Sequence, residues 1–326
     1  MLEKKCIYFG KCGGCVWQDL SEKDYIAKKS SFITRAFQDV GLTINLESIK
    51  FIPIGTRRRA SFAFTSSHFG FNENKSHKIV DINECPLLLP SINKILPLLK
   101  ETTGQLKTSG DVFVSYTSSG LDILIKDKNL HPKLEQLELL SHLSQDPSIT
   151  RVTYNTTPIF EKIPLEKSAD SFAQPSLEGE QTLIQLILEN IGSAKKAVDL
   201  FCGKGTFTTP LLSADLSAIG YDNSEDVHLL GNNGVQRDLF RNPLTTHELQ
   251  EFDLAVLDPP RAGALAQVQH LSQSNIPTII MISCNPKTAA RDCKILIENG
   301  WHFAKIIPVD QFTYSNHIEL VIILKK

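Results

Sequence analysis

Residues 198–208 read VDLFCGKGTFT. An apolar run ends at two glycines one residue apart, and a helix-compatible stretch follows. Glycine lets the backbone turn tightly and approach a ligand closely. The pattern stops short of Gly-x-Gly-x-x-Gly and lacks the Lys-Ser/Thr of a phosphate loop. It therefore reads either as a plain strand-to-helix turn or as a cofactor turn. A second strand-like run, SAIGYD (217–222), ends at Asp222. That is about twenty residues beyond the glycines, where a carboxylate suits a ribose diol. The pair implies an adenosine-containing cofactor, either NAD or S-adenosylmethionine.

Outward from this turn, residues 170–326 alternate apolar strands with helical stretches. The strands are KKAVDLF, SAIGYD, FDLAVLDPP, TIIMISC, WHFAKIIPVD and HIELVIILKK. Such alternation predicts an α/β domain, a parallel sheet with helices on both faces. LAVLDPPR places Asp258 at the carboxyl end of a strand, beside the crevice where open α/β sheets bind ligands. The last two strands are joined by a short link and are expected to pair antiparallel. Both features favour S-adenosylmethionine over NAD.

Upstream, residues 50–165 are rich in Phe, Val, Ile, Thr and Tyr with partial alternation, interrupted by turn-like TSSG and NENKS. They predict an antiparallel sheet with a helix at LLLPSINKILPLLKETTG. The first residues hold a cysteine-rich start and a helical piece in which Ile26, Phe32, Ile33, Phe37 and Val40 recur at helical spacing. The expected organisation is an N-terminal element over 1–48, a β-rich domain over 49–168 and a cofactor-binding domain over 169–326.

Composition narrows the classes. The chain has 326 residues, 41% hydrophobic and 21% charged, with a net charge of −2. No global field attracts nucleic acid, so a polyanion partner needs a local basic patch. No apolar run approaches the roughly 20 residues that span a bilayer, and the N-terminus has no secretory pattern. A cytoplasmic protein with no membrane contact and no obligate protein partner is expected. Seven cysteines in such a chain point to metal binding or catalysis where they cluster.

Cys284, in IMISCNPKT (280–288), stands where a strand ends. A buried small hydrophobe is one reading; a nucleophile is the other. Glu319, in HIELVIIL, shares a strand face with Val321 and Ile323 by two-residue periodicity. A carboxylate aimed into an apolar face is either an ion-pair member or a tuned base. A thiol and a carboxylate on neighbouring strand ends suit proton removal from a covalent adduct.

Taken in order, SFAQP, DLFCGKGTF, LDPPRAGA, ISCNPKTAARD and HIE resemble the S-adenosylmethionine-dependent RNA uracil-5 methyltransferases, over the whole chain. The resemblance implies a class I methyltransferase domain preceded by a β-rich RNA-binding region. It implies Cys284 as nucleophile and Glu319 as general base. It puts Gln174, Phe201, Gly203, Thr206, Asp222, Asp238 and Asp258 at the cofactor, with Thr206 where relatives often carry Asn and Ser176 where they commonly carry Asn. The chemistry needs the thiol because carbon 5 of uracil is a poor nucleophile. Thiolate addition at carbon 6 makes an enolate whose carbon 5 accepts a methyl group, and a base then removes the carbon-5 proton. A few per cent of a free thiol is already thiolate at neutral pH.

CIYFGKCGGC gives C-x5-C-x2-C from Cys6, Cys12 and Cys15, with Cys85 far downstream. Four thiolates hold either zinc or an iron–sulfur cluster. Three-plus-one spacing leans toward a cluster, and the resemblance to the ribosomal-RNA members implies [4Fe–4S], read here as structural. Cys202 and Cys293 have no such partners and are expected to pack.

The implied partner is RNA, with a uridine in a single strand or loop turned out of its stack. TRRRASF (56–62) is the densest basic run. It reads as a solvated strand end or as phosphate contacts from Arg57 to Arg59, and relatives carry an Arg-rich segment there. The chain begins at the cysteine motif without the small barrel that one ribosomal group carries, so it resembles the smaller group acting on 23S rRNA. A transfer-RNA enzyme and a non-catalytic RNA-binding iron–sulfur protein are the alternatives. The fifteen residues between Asp222 and Asp238 leave room for only a reduced crossover helix.

Overall fold

The structure, a computed structural model, describes residues 6–127, 132–162, 169 and 173–326. The first two residues of the SFAQP motif and the expected boundary after residue 168 lie outside the described residues. The chain groups into two discontinuous units rather than three consecutive stretches. One comprises Met1–Leu20, Ile52–Glu180 and Thr313–Ser315; the other comprises Ser21–Phe51, Gln181–Phe312 and Asn316–Lys326.

The first unit is built on a seven-stranded sheet. In spatial order its strands are Ile79–Asp81, Phe69–Asn72, Arg59–Phe64, Gly110–Thr117, Gly120–Asp127, Ile149–Tyr154 and Thr157–Glu161. All neighbours are antiparallel except Gly120–Asp127 and Ile149–Tyr154, which are parallel. A parallel pair needs a crossover, and the connection includes the helix Leu134–Ser141. Alternation is visible in Gly110–Thr117, where Val112 and Val114 are fully buried. They pack with Phe62, Phe64 and the apolar side of the helix Pro90–Gln105: Ile92, Ile95, Leu96 and Leu99. That helix starts on proline, whose fixed φ suits a first turn.

The second unit carries an eight-stranded sheet. Its order is Lys50–Phe51, His302–Asp310, Glu319–Lys325, Thr278–Ser283, Leu254–Leu257, Lys196–Leu200, Ser217–Asp222 and Gly234–Gln236. Strand Glu319–Lys325 runs antiparallel between His302–Asp310 and Thr278–Ser283; every other pair is parallel. The central strands are largely apolar, as strands covered on both faces must be: Leu254 to Leu257 and Leu320 to Leu324 are all buried. The closing pair is antiparallel, as expected, but His302–Asp310 is not the edge, because Lys50–Phe51 adds a further parallel strand.

The helix Glu22–Gln38 belongs to this second unit. Ser21 caps it by accepting the Asp24 N–H at 3.1 Å. Its buried face is Tyr25, Lys29, Ile33, Ala36 and Phe37. Ile33 and Phe37 follow the apolar periodicity; Lys29 at the centre of that face does not. The crossover between Asp222 and Asp238 is reduced to the 3-10 segment Glu225–Asn233 and the three-residue strand Gly234–Gln236. No helix among the described residues is long and apolar enough to cross a membrane.

Candidate active site

The glycine turn follows strand Lys196–Leu200 directly. Phe201 takes φ +65°, a left-handed conformation that a bulky residue adopts only under constraint. Gly203 follows at φ +55° and donates its N–H to Asp222 Oδ2 at 2.9 Å. The other Asp222 oxygen accepts the Ser224 N–H at 2.7 Å. The carboxylate at the tip of the second strand thus pins the turn at the tip of the first. Gly220 is glycine for space: a Cβ there would sit 2.7 Å from Cys202 Sγ and 2.8 Å from Thr208 Oγ1. Thr206 is half-buried in the same turn. Asp238 caps its own loop, its Oδ1 accepting the N–H groups of Phe240 and Arg241 at 3.0 and 3.2 Å. The Phe240 ring lies 5.3 Å from that of Phe201.

Asp199, inside the strand, was not singled out in the sequence. It is fully buried, and Oδ2 accepts the Thr208 hydroxyl at 2.6 Å. Oδ1 has no hydrogen-bond partner. Burial pushes this carboxyl up to about 7 against the pull of Thr208. An orphaned buried acceptor beside a glycine turn is what a cationic amino group would satisfy, so these residues fit a cofactor carrying an amino-acid ammonium. Its sequence signal was the spacing to Thr208, masked by the adjoining glycines.

Cys284 follows strand Thr278–Ser283, and its position is set by register. Ser283 pairs with Leu320 across the antiparallel ladder, so the next step brings Cys284 opposite Glu319. Asp258 follows the neighbouring strand Leu254–Leu257. Three groups expected from the sequence therefore converge at adjoining strand ends. Glu319 is 5% exposed, whereas Cys284 and Asp258 are half-buried. Burial pushes Glu319 up to about 8, with Asp258 adding to the rise and a hydrogen bond from Gln311 opposing it. Asp258 is pushed up to about 7 by burial and by Asp199. The Cys284 thiol rises to about 11 through burial and the two acids, partly offset by Arg261. This corrects the expectation of a partly ionised thiol: the surroundings hold it protonated near neutrality.

Asn285 explains the rest of the SCNP motif. It caps the helix Pro286–Glu298 by accepting the Lys287 N–H at 3.2 Å, and its amide donates to the Arg261 carbonyl at 3.0 Å. The same helix holds the loop after Asp258 through further side chains. Asp292 Oδ2 accepts the Ala264 N–H at 2.7 Å, and Arg291 donates to the Ala262 carbonyl at 3.0 Å. Gly263, at φ +78°, lies under this clamp, where a Cβ would meet Arg291 and Asp292 at 2.6 Å.

Gln174 lies in the first unit, apart in the chain grouping from the other six candidate cofactor residues. It is 4% exposed, and its carbonyl accepts Arg58 Nε at 2.9 Å. Ser176 has a plain role: its hydroxyl accepts the Gly179 N–H at 2.9 Å at the start of the helix Leu177–Leu188, a task that Asn performs equally. The arginine run is engaged by protein groups. Arg58 pairs with Glu180 at 2.6 Å, Arg59 donates to the Ala173 carbonyl at 3.1 Å, and Arg57 is in the field of Cys85 and Cys15. The phosphate-contact reading of this run gains no support from these geometries.

Cys6, Cys12, Cys15 and Cys85 all fall in the first unit. Burial drives Cys15 up to about 12, and the charges of Cys85, Cys12 and Cys6 add to it. Cys12 and Cys85 are raised by burial too. Gly14 donates its N–H to Cys12 Sγ at 3.4 Å. Four half-buried thiols, one cation and a peptide N–H to sulfur match the donor chemistry of a thiolate-bound group. However, among the described residues no three His, Cys, Asp or Glu side chains are arranged to hold a metal ion. The expected cluster is therefore not shown. Cys202 and Cys293 are buried, as expected of packing residues.

Comparison with known proteins agrees with these features. Residues 234–326 match the family model described as tRNA (Uracil-5-)-methyltransferase. An uncharacterized RNA methyltransferase of Agrobacterium fabrum is 34% identical, covering 97% of this chain and 83% of that protein. One from Brucella melitensis is 33% identical over 98% of this chain and 84% of its own length. Among solved structures, the Pyrococcus abyssi tRNA (uracil-54, C5)-methyltransferase, in complex with S-adenosyl-L-homocysteine, superposes with a TM-score of 0.72. It shares 21% identity, covering 97% of this chain and 86% of that one. At that identity it shows a shared fold.

Proposed function

The chain belongs to the RNA uracil-5 methyltransferase family, and from that premise we propose that it methylates carbon 5 of a uridine in RNA through a covalent adduct on Cys284. The observation that carries the reading is the convergence of Cys284, Glu319 and Asp258 at adjoining strand ends, beside the glycine turn. S-adenosylmethionine supplies the methyl group, activated on a sulfonium. Gly203, Asp222 and Asp199 would hold that cofactor, with Phe201, Thr206, Asp238 and Asp258 around it.

With its thiol proton released to solvent, Cys284 adds through sulfur to carbon 6 of the uracil, and the carbon 5–carbon 6 π pair moves onto the ring as an enolate. Carbon 5 takes the methyl group. Glu319 then accepts the carbon-5 proton. The freed electron pair rebuilds the double bond as the carbon 6–sulfur bond breaks and returns to the thiolate. With a pKa of about 8, Glu319 must first ionise to accept that proton, so turnover should rise with pH toward about 8. Cys284→Ala should abolish turnover while S-adenosylmethionine still binds, as read by calorimetry. Glu319→Gln should leave protein and RNA joined on a denaturing gel. Turnover in the first variant would refute the nucleophile, and absence of a joined band in the second would refute the base.

The substrate favoured is 23S rRNA, since the four-cysteine pattern resembles the ribosomal members; transfer RNA is the alternative. Mass mapping of both RNA pools from cells lacking the gene separates them. For the four cysteines we propose a structural [4Fe–4S] cluster, because the donor set is all thiol and the methyl transfer needs no redox step. Anaerobically purified protein should be brown and contain about four iron and four sulfide per chain. A colourless protein with one zinc would overturn this part.

A further inference from the structure

A salt bridge sealed from solvent lies close in the chain to Glu319, and the chemistry above makes no use of it. Lys29 Nζ stands 2.9 Å from Asp310 Oδ1, and both side chains are wholly buried. Tyr25, also buried, donates its hydroxyl to Asp310 Oδ2 at 2.5 Å. The Lys29 ammonium donates in addition to the backbone carbonyl of His317. Such a pair is a poor source of stability. Desolvating two charges cancels much of their attraction, and apolar residues of equal volume are often as good or better. Its anchoring points suggest another role.

Asp310 is the last residue of strand His302–Asp310. The next residue, Gln311, supplies the hydrogen bond to Glu319. On the return limb, His317 stands two residues before Glu319, which opens strand Glu319–Lys325. Val309 and Glu319 face each other across the ladder. The Phe312 ring meets the His317 imidazole edge-on at 5.7 Å within the same bend. One ammonium therefore holds both limbs of the connection: the limb carrying the partner of Glu319 and the limb carrying Glu319 itself. Tyr25 and Lys29 come from successive turns of one helix face. That helix is fixed in the core by Ile33 and Phe37, so the clamp has a rigid mount.

We infer that Tyr25, Lys29 and Asp310 are positioning residues for the base, a buried clamp that sets Gln311 and Glu319 against the adduct on Cys284. The inference rests on the reading of Glu319 as the base. It places the clamp's effect late in the cycle, at proton removal and release, and leaves thiol addition untouched.

The test uses the full chain as wild type, Tyr25→Phe and the pair Lys29→Met with Asp310→Asn, which removes both charges together. Tyr25→Phe deletes one buried hydroxyl and preserves the ring, so it keeps the question open to measurement if the double variant does not fold. The probes are total RNA from cells lacking the gene, grown with and without 5-fluorouracil. Fluorine at carbon 5 cannot leave as a proton does, so fluorinated RNA captures the adduct whether or not the base is in place. The variants should capture fluorinated RNA at the wild-type rate. On ordinary RNA they should turn over about tenfold more slowly or worse, as a displaced catalytic group does, and accumulate a methylated protein–RNA band. Turnover equal to wild type, or parallel loss of fluorinated capture and turnover, would overturn the clamp. If wild type captures no fluorinated RNA, the covalent reading itself fails and the clamp falls with it.

Discussion

Cys284 is the residue on which the chemistry turns, and its surroundings as they stand oppose ionisation. Burial and two neighbouring acids lift the thiol to about 11; Arg261 and a backbone N–H pull the other way. A cation placed in this crevice would lower it, because opposite charge within a few ångströms favours the thiolate. The proposed sulfonium is such a cation, and the neutral thioether it leaves behind is not. Alkylation of Cys284 by iodoacetamide, followed by peptide mass mapping, should therefore rise with pH toward a midpoint near 11. S-adenosylmethionine should speed it at pH 8, whereas S-adenosylhomocysteine should not. Equal effects of the two ligands would show that charge is not what wakes the thiol.

At the scale of elements, the helix Pro286–Glu298 does more than cover the sheet: its first turns hold the Asp258 loop. Asn285 both caps that helix and donates to the Arg261 carbonyl. Asn285→Ala should lower stability by about 1 kcal/mol, the usual cost of a lost cap. It should also reduce kcat more than cofactor affinity, as read by thermal melts alongside steady-state kinetics. An unchanged kcat would confine Asn285 to capping. Much of this architecture was legible beforehand. Long apolar runs gave the second sheet, period-two alternation gave the first, and a short final link gave the antiparallel closing pair. What escaped were polar groups inside apolar settings. Lys29 sits at the centre of a helical face that hydrophobic spacing drew through Ile26 and Phe32. Asp199 sits inside a strand read for its glycines. The two-residue strand Lys50–Phe51 was too short for any periodicity, and the arginine run read as surface because no local pattern reveals partners more than a hundred positions away, such as Glu180.

For the molecule as a whole, three acids, Asp199 and Glu319 buried and Asp258 half-buried, bear on how stability follows pH. Asp199 and Asp258 are raised to about 7 and Glu319 to about 8, against unfolded values of about 4. Each is bound to its proton more tightly when folded. The stabilisation is therefore complete below about pH 4 and is lost as pH climbs through the folded values. Other carboxylates work in the opposite sense: Glu248 is lowered to about 2 by Arg237, and its contribution disappears in acid. The ligand-free protein should melt higher at pH 6 than at pH 8.5, and Asp199→Asn should flatten that slope. A melting temperature independent of pH over this range would refute the protonated state of these acids.

The strand order carries a consequence for biosynthesis. Of the eight strands in the second sheet, Glu319–Lys325 comes last in the chain yet occupies an interior place, flanked by Thr278–Ser283 and His302–Asp310. While a ribosome is still translating, the gap it will fill stays open, and the Ile279 to Ile282 run waits with one margin bare. Such a margin is an invitation to wrongful pairing. Chaperone capture of nascent chains should therefore persist until that final segment clears the exit tunnel, and stalled fragments lacking it are the ones a cell must clear.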